Sequence, residues 1–268
     1  MKREPAVAGY FYSNNVRDLK FDLSRLIVFS EEKLKVKGVI APHAGYMYSG
    51  WVAGKVYGTI LPPEIAIIIG PNHTGLGRRI AVFDGESFIT PLGEVFVDKE
   101  LVEDLTNSVS ILSSDIMAHL HEHSIEVQIP FLQYLNPNIK IVPICLGRLN
   151  LEEIIILGGG IAESVKKRSD KYIVIIASSD FSHYVPHKIA KENDLEAIKE
   201  IINLSEEKFV TLVEGKNLSI CGYIPIAVTI NACKTLGATN AKLIDYMTSG
   251  DVIKDYASVV GYGGIIIW

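Results

Sequence analysis

The chain has 268 residues, a formal net charge of -5, 48% hydrophobic and 21% charged residues, the make-up of a folded globular protein rather than a disordered, fibrous or nucleic-acid-binding one. Its three cysteines, at 145, 221 and 233, leave one over and form no CxxC pair, which argues against a disulfide framework and for a reducing compartment. The longest apolar stretches reach about half of the ~20 residues a membrane span needs, and the N-terminus MKREPAVAGYFY lacks the apolar centre of a secretory signal. We expect a cytoplasmic protein of one domain, 1–268, with neither a membrane nor a nucleic acid as partner.

In chain order, residues 39–41 read as a buried strand, and a helix opens at Ser49 and runs towards Ile60 before Pro62 and Pro63 end it. Residues 65–69 form a run too apolar for a solvated face, as in a central strand. The DGE and PLG turn signals at 81–94 predict an antiparallel excursion. Asp98 reads as the N-cap of a helix to about Asn107, followed by a short strand at 109–112. Residues 124–134 read as a helix kinked by Pro130. Further strands are predicted at 139–145, 172–177, 241–247 and 256–267, and helices at 151–167, 188–202, 206–213 and 224–236. Strands alternating with helices imply an α/β fold with a largely parallel, helix-covered sheet.

Three of the apolar runs stop abruptly at polar loops: GVIAPH at His43, IAIIIGPNH at His73, and YIVIIASSDFSH at Asp180 and His183. In open α/β sheets, side chains beyond the carboxyl ends of neighbouring strands converge on one crevice. Such convergence is what a metal or acid–base site needs. A carboxylate fixes an imidazole tautomer, which suits His183 as a general base oriented by Asp180. If a helix begins near the HLHEH cluster at 119–123, His123 and Glu126 lie at i and i+3 on one of its faces. A di-iron site requires a second such motif and two more carboxylates, so His123 and Glu126 are read as lining the pocket or supporting it, with His119 and His121 exposed. His187 is read as a surface residue. Cys221, in LSICGYIP ahead of a helix, is expected to have a lowered pKa and a thiolate available to a metal or as a nucleophile. Cys145 and Cys233 read as small buried hydrophobes. The residue pattern alone does not bring Cys221 to His43.

Taken together, PHAGYMYSG, PNHTG, EHSIEVQIPFLQYL, SSDFSHY and ICGYIP resemble the Memo family, named for a mediator of cell motility and rich in archaeal and bacterial members. The motifs occur in the family's order from AGYFY to YMTSGD. The resemblance implies a single three-layer α/β domain with a largely parallel or mixed sheet, similar to class III, non-haem iron extradiol dioxygenases. It implies His43, His73 and Cys221 as metal ligands, with Asp180, His183 and Tyr48 lining the pocket, His123 nearby, and Phe11 at the rim where relatives often carry tryptophan. Those dioxygenases use two histidines and a carboxylate, whereas a thiolate is softer and itself oxidisable. Iron(II) or copper suits the implied set, and zinc is compatible with it.

Three functions follow from these readings. The first is metal-dependent redox chemistry on an unknown small molecule or peptide, with His183 and Asp180 as catalytic groups. The alternatives are a non-catalytic module that binds a peptide or phosphopeptide in the same cleft, and a zinc-dependent hydrolase. Microbial relatives are associated with a radical-enzyme partner, and an oligomer is compatible with the sequence.

Overall fold

The runs GVIA, IAIIIGP, KIVPICL and IVIIAS show no polar alternation because both their faces are covered. In the computed structural model, which describes residues 1–268, the first half of the chain forms β1 (Lys2–Arg3), α1 (Val16–Leu26), β2 (Gly38–Ala41), α2 (Tyr46–Thr59), β3 (Ile65–Pro71), β4 (Ile80–Val82), β5 (Ser87–Thr90), β6 (Gly93–Phe96), α3 (Lys99–Ser108), β7 (Ser113–Ser114) and α4 (Ile129–Leu135). The second half forms β8 (Lys140–Leu146), α5 (Leu151–Lys167), β9 (Ile173–Ser178), β10 (His183–Val185), α6 (His187–Ile202), α7 (Glu206–Gly215), α8 (Tyr223–Thr235), β11 (Ala241–Thr248), α9 (Ser249–Ile253) and β12 (Val259–Ile267).

The four apolar strands stand side by side and parallel in the order β2, β9, β3, β8. Antiparallel strands flank them, β12 beside β2 and β4 beside β8, in a mixed sheet of nine strands. Helix α2, with α1 beside it, packs on β2, β11 and β12, while α8, backed by α5 and α7, packs on β2, β3 and β9. One hydrophobic cluster of 71 buried residues runs through the layers, giving the single α/β domain with a helix-flanked mixed sheet. No helix is long and apolar enough to cross a membrane.

Several elements differ from expectation for identifiable reasons. Helix α2 starts at Tyr46 rather than Ser49, because the Tyr46 N–H donates to Phe11 O at 2.7 Å and the Ser49 hydroxyl turns back to Ala44 O. Residues 109–112 form a turn, with the Val109 N–H closing α3 on Leu105 O, so strand pairing waits for β7. Pro130 kinks nothing. A short 3-10 turn at Glu126–Gln128 precedes it, and α4 starts afresh with the proline in its first turn, where no backbone donor is needed. The excursion at 81–94 becomes β4 and the β5–β6 hairpin, which joins β1 in a separate three-stranded sheet. Helix α1, not foreseen, is amphipathic, buries Leu19 and Leu23, and is capped by Asn15.

Candidate metal centre

His43, His73 and Asp180 each stand two residues beyond the end of β2, β3 and β9. Adjacent parallel strands therefore deliver all three to one end of the sheet. His123 reaches the same place from the loop before α4. One ring nitrogen from each of His43, His73 and His123 lies within 4.8 Å of the other two. The rings of His73 and His123 stack at 4.6 Å between centroids, and His43 meets both edge-on at 5.2 and 5.4 Å. His43 is buried, His123 half-buried, and His73 is on the solvent side.

Hydrogen bonds determine which nitrogens are free. Ser178 Oγ donates to Ser124 O at 2.6 Å and accepts from Gln128 Nε2 at 2.8 Å. Its remaining lone pair faces His43 Nδ1 at 3.0 Å, so Nδ1 carries the hydrogen and Nε2 keeps a lone pair. The Gln128 amide is itself oriented, donating to Pro42 O and accepting from the Tyr57 hydroxyl. His73 donates from Nδ1 to Glu122 Oε1 at 2.9 Å, while Glu122 also accepts from the backbone N–H groups of His73 and Ser124. Burial would raise Glu122, but the His73 hydrogen bond and charge outweigh it and hold the carboxyl at about 2. Burial pushes His43 well below its ordinary value, helped by His123, His73 and His183, and burial also lowers His123. With Nδ1 tied outward, His43 and His73 each leave Nε2 as the nitrogen a metal ion would take.

Cys221 arrives from the loop before α8. A Cβ on Gly222 would fall 2.5 Å from Ser178 O, so glycine lets this turn press onto the end of β9. The sulfur then lies 3.2 Å from His43 Nε2 and accepts from the Asp180 N–H at 3.3 Å. The expected drop in thiol pKa does not occur. Burial and the Asp180 carboxylate push it up, outweighing the amides of Asp180 and Gly222. A bound cation would reverse that balance.

Asp180 does not orient His183. Its Oδ1 accepts from the N–H of His43 at 2.8 Å and of Ala44 at 3.3 Å, fixing the loop that carries His43. Burial raises this carboxyl to about 6 despite those bonds. His183 is held instead by Ser219, whose hydroxyl accepts from its N–H and whose carbonyl accepts from Nδ1, both at 2.8 Å. Its Nε2 is left free of that bond.

A cavity of about 710 Å³ opens over these groups, with Phe11, His43, His73, His123, Asp180, His183 and Cys221 in its wall. A second, of about 470 Å³, meets it at His73, Cys221 and Tyr223. Two residues expected at the pocket are not in its wall. Tyr48 is half-buried on α2, and Glu126 is fully buried, ion-paired to Arg3. His119, expected to be exposed, is buried with neither ring nitrogen partnered, and burial first, then Arg3, lowers it to about 3. His121 is exposed. Ser178, Gln128 and Glu122 were not singled out from the sequence. The available signal was a polar residue set inside or beside an apolar stretch, in IIASSD, IEVQIP and HLHEH.

A sequence model described as Memo-like protein matches residues 3–266. The chain belongs to the Memo family. It is 44% identical over 267 residues to a MEMO1 family protein of Methanosarcina barkeri, covering 99% of each chain. It is 40% identical over 280 residues to one of Methanopyrus kandleri, again covering 99% of each. Among solved structures it is similar to that of the uncharacterized protein JW3007 from Escherichia coli K12, with a TM-score of 0.51, 16% identity, and 85% of this chain and 99% of that one covered. That likeness concerns the fold. The Memo match itself takes in the imidazole cluster, the Cys221 turn and the N-terminal segment bearing Phe11.

Proposed function

We propose that this Memo-family protein holds one metal ion at the carboxyl ends of β2 and β3 and uses it in redox chemistry on a substrate bound in the adjoining cavity. The observation that carries this reading is the meeting of three imidazoles, two of them with Nδ1 already committed to Ser178 and Glu122. His43 and His73 are ligands both by position and by family resemblance. His123 completes a three-nitrogen set by distance, and Cys221, in contact with His43 Nε2, supplies the thiolate of the His2Cys set. Iron(II) or copper suits imidazole combined with thiolate, and zinc fits the same donors.

A redox-active ion bound there would supply electron exchange with the substrate. The chain's own groups do the remaining work. His183, with Nδ1 tied to the Ser219 carbonyl, presents the other ring nitrogen for taking up or giving a proton at the cavity wall. Asp180 keeps the His43 loop in place through two backbone amides. Phe11, Ile220, Val260 and Tyr262 give the cavity apolar walls against which an apolar part of the substrate can pack.

The junction of the two cavities favours a second reading, in which an extended ligand such as a peptide or phosphopeptide is bound without turnover. Elemental analysis of protein isolated without oxygen separates the two. The redox reading expects about one iron or copper per chain, and protein that takes up only zinc contradicts it. Peptide binding that survives His43→Ala unchanged would support the second.

A further inference from the structure

The Glu126 carboxylate is fully buried and lies outside both cavities. It is nonetheless the most heavily solicited acceptor near the imidazoles. Ala6 N donates to it at 2.8 Å, Val7 N at 3.1 Å and the Tyr12 hydroxyl at 2.5 Å, and Arg3 completes the set as an ion pair. Every one of these donors comes from the N-terminal segment, residues 3–12.

Arg3 carries the connection further. Its Nε donates to His119 O at 2.9 Å and its Nη2 to Glu122 O at 2.7 Å. The guanidinium therefore ties the segment to the same loop that bears Glu122, the carboxylate on His73, and His123 itself. At the other end of the segment the Phe11 ring stands 4.9 Å from the His123 ring, and Phe11 O accepts the first N–H of α2. One end of the network thus holds the backbone of the loop behind His73, and the other meets the His123 ring.

We propose that Glu126 is a positioning residue of the metal centre, seating residues 3–12 as a fixed wall that holds Phe11 on His123 and the 119–123 loop behind His73. The inference rests on reading the imidazole cluster as a metal site. Glu126 touches no ligand nitrogen in this arrangement. It acts through the segment and loop it holds. All four partners are donors, so an amide in place of the carboxylate would turn its NH2 group against at least one of them.

The test uses the full chain as wild type, Glu126→Gln and Tyr12→Phe, with hydrogen exchange of residues 3–12 and cobalt(II) titration followed by visible absorption. In Glu126→Gln, the amides of Ala6 and Val7 are expected to exchange at least about tenfold faster, and cobalt affinity to fall by about 10–100-fold with altered bands, as when an outer partner of a metal ligand is lost. Tyr12→Phe should move both readouts in the same direction by less, and it decides the matter if Glu126→Gln does not fold. Labile amides with unchanged cobalt affinity and bands would leave the segment a structural element and overturn the proposal. Amides that stay protected would overturn it too, since Glu126 would then not be the seat. A wild type that takes up no cobalt removes the metal reading and this inference with it, whereas a wild type that binds cobalt beside variants that bind it equally well removes only the positioning role.

Discussion

The strand-end side of the imidazole cluster and its loop side are held by different physics. On the strand-end side, the His43 ring is oriented by neutral groups, a relay from Ser178 through Gln128 to Tyr57, while the Asp180 carboxylate holds only the backbone of its loop. On the loop side, the 119–123 segment that bears His123 depends on buried charge: its Glu122 carboxylate takes the Nδ1 hydrogen of the strand-delivered His73, and the Arg3–Glu126 pair stands behind it. His43 and His73, brought to one place by parallel strands, need from their neighbours chiefly a fixed tautomer and a pinned loop backbone. A residue delivered by a loop is placed by charge-assisted bonds, which are strong only while every partner is present.

That contrast is broken most severely by Arg3→Met. Leaving Glu126 buried without its cation is expected to cost about 3–5 kcal/mol in denaturant unfolding. A loss below about 1 kcal/mol would mean that the loop side does not depend on charge.

Acid should also act on the loop side. His119 is buried neutral, with its folded-state value lowered from 6.5 to about 3. The unfolded chain takes up this proton first as pH falls, so the stabilising contribution is complete above about pH 6.5 and disappears progressively towards pH 3. At about 1.4 kcal/mol per pKa unit, the loss amounts to a few kcal/mol. His119→Phe, placed against Phe83, should flatten the acid limb of the stability curve, and a limb of unchanged slope would assign the titration elsewhere.

On the strand-end side, Ser178→Ala leaves His43 Nδ1 without its acceptor and should cost about 1–3 kcal/mol, less than Arg3→Met. Metal affinity should drop by about 10–100-fold, and calorimetric titration reads this directly. Equal losses of stability from Ser178→Ala and Arg3→Met would erase the distinction between the two sides. The smallest effect belongs to Phe11→Trp, a change of ring on the half-buried wall. It should alter stability by less than about 1.5 kcal/mol, and a larger shift in melting would show that the wall is tightly fitted.

The same division explains what was legible in the sequence. The four central strands, and His43, His73 and Asp180 at their ends, were readable because an apolar run followed by a polar loop is a local pattern. Helix α5 matched its predicted span because Asn150 caps it and basic residues close it. The loop side was obscure. Glu126 invited reading with His123 as neighbours on a helix, whereas the segment breaks into a 3-10 turn and sends the carboxylate to Arg3, 123 residues away in sequence. No periodicity encodes such a partner. The approach of Cys221 to His43 likewise depends on Gly222 closing onto β9, and it was the family resemblance, not spacing, that suggested it. Asp180 and His183 both stand in the cavity wall, but a separation of three residues said nothing about which groups they would bond.

The chemistry proposed for the cavity depends on His43, His73 and their neighbours binding a metal ion. The most direct measurement is cobalt(II) titration of the wild type and His43→Ala side by side, with circular dichroism to show that both are folded. About one equivalent bound with visible absorption is expected in the wild type, and loss of both in a folded His43→Ala protein. A wild type that binds no cobalt, or a His43→Ala protein that binds it as tightly, would contradict the metal reading.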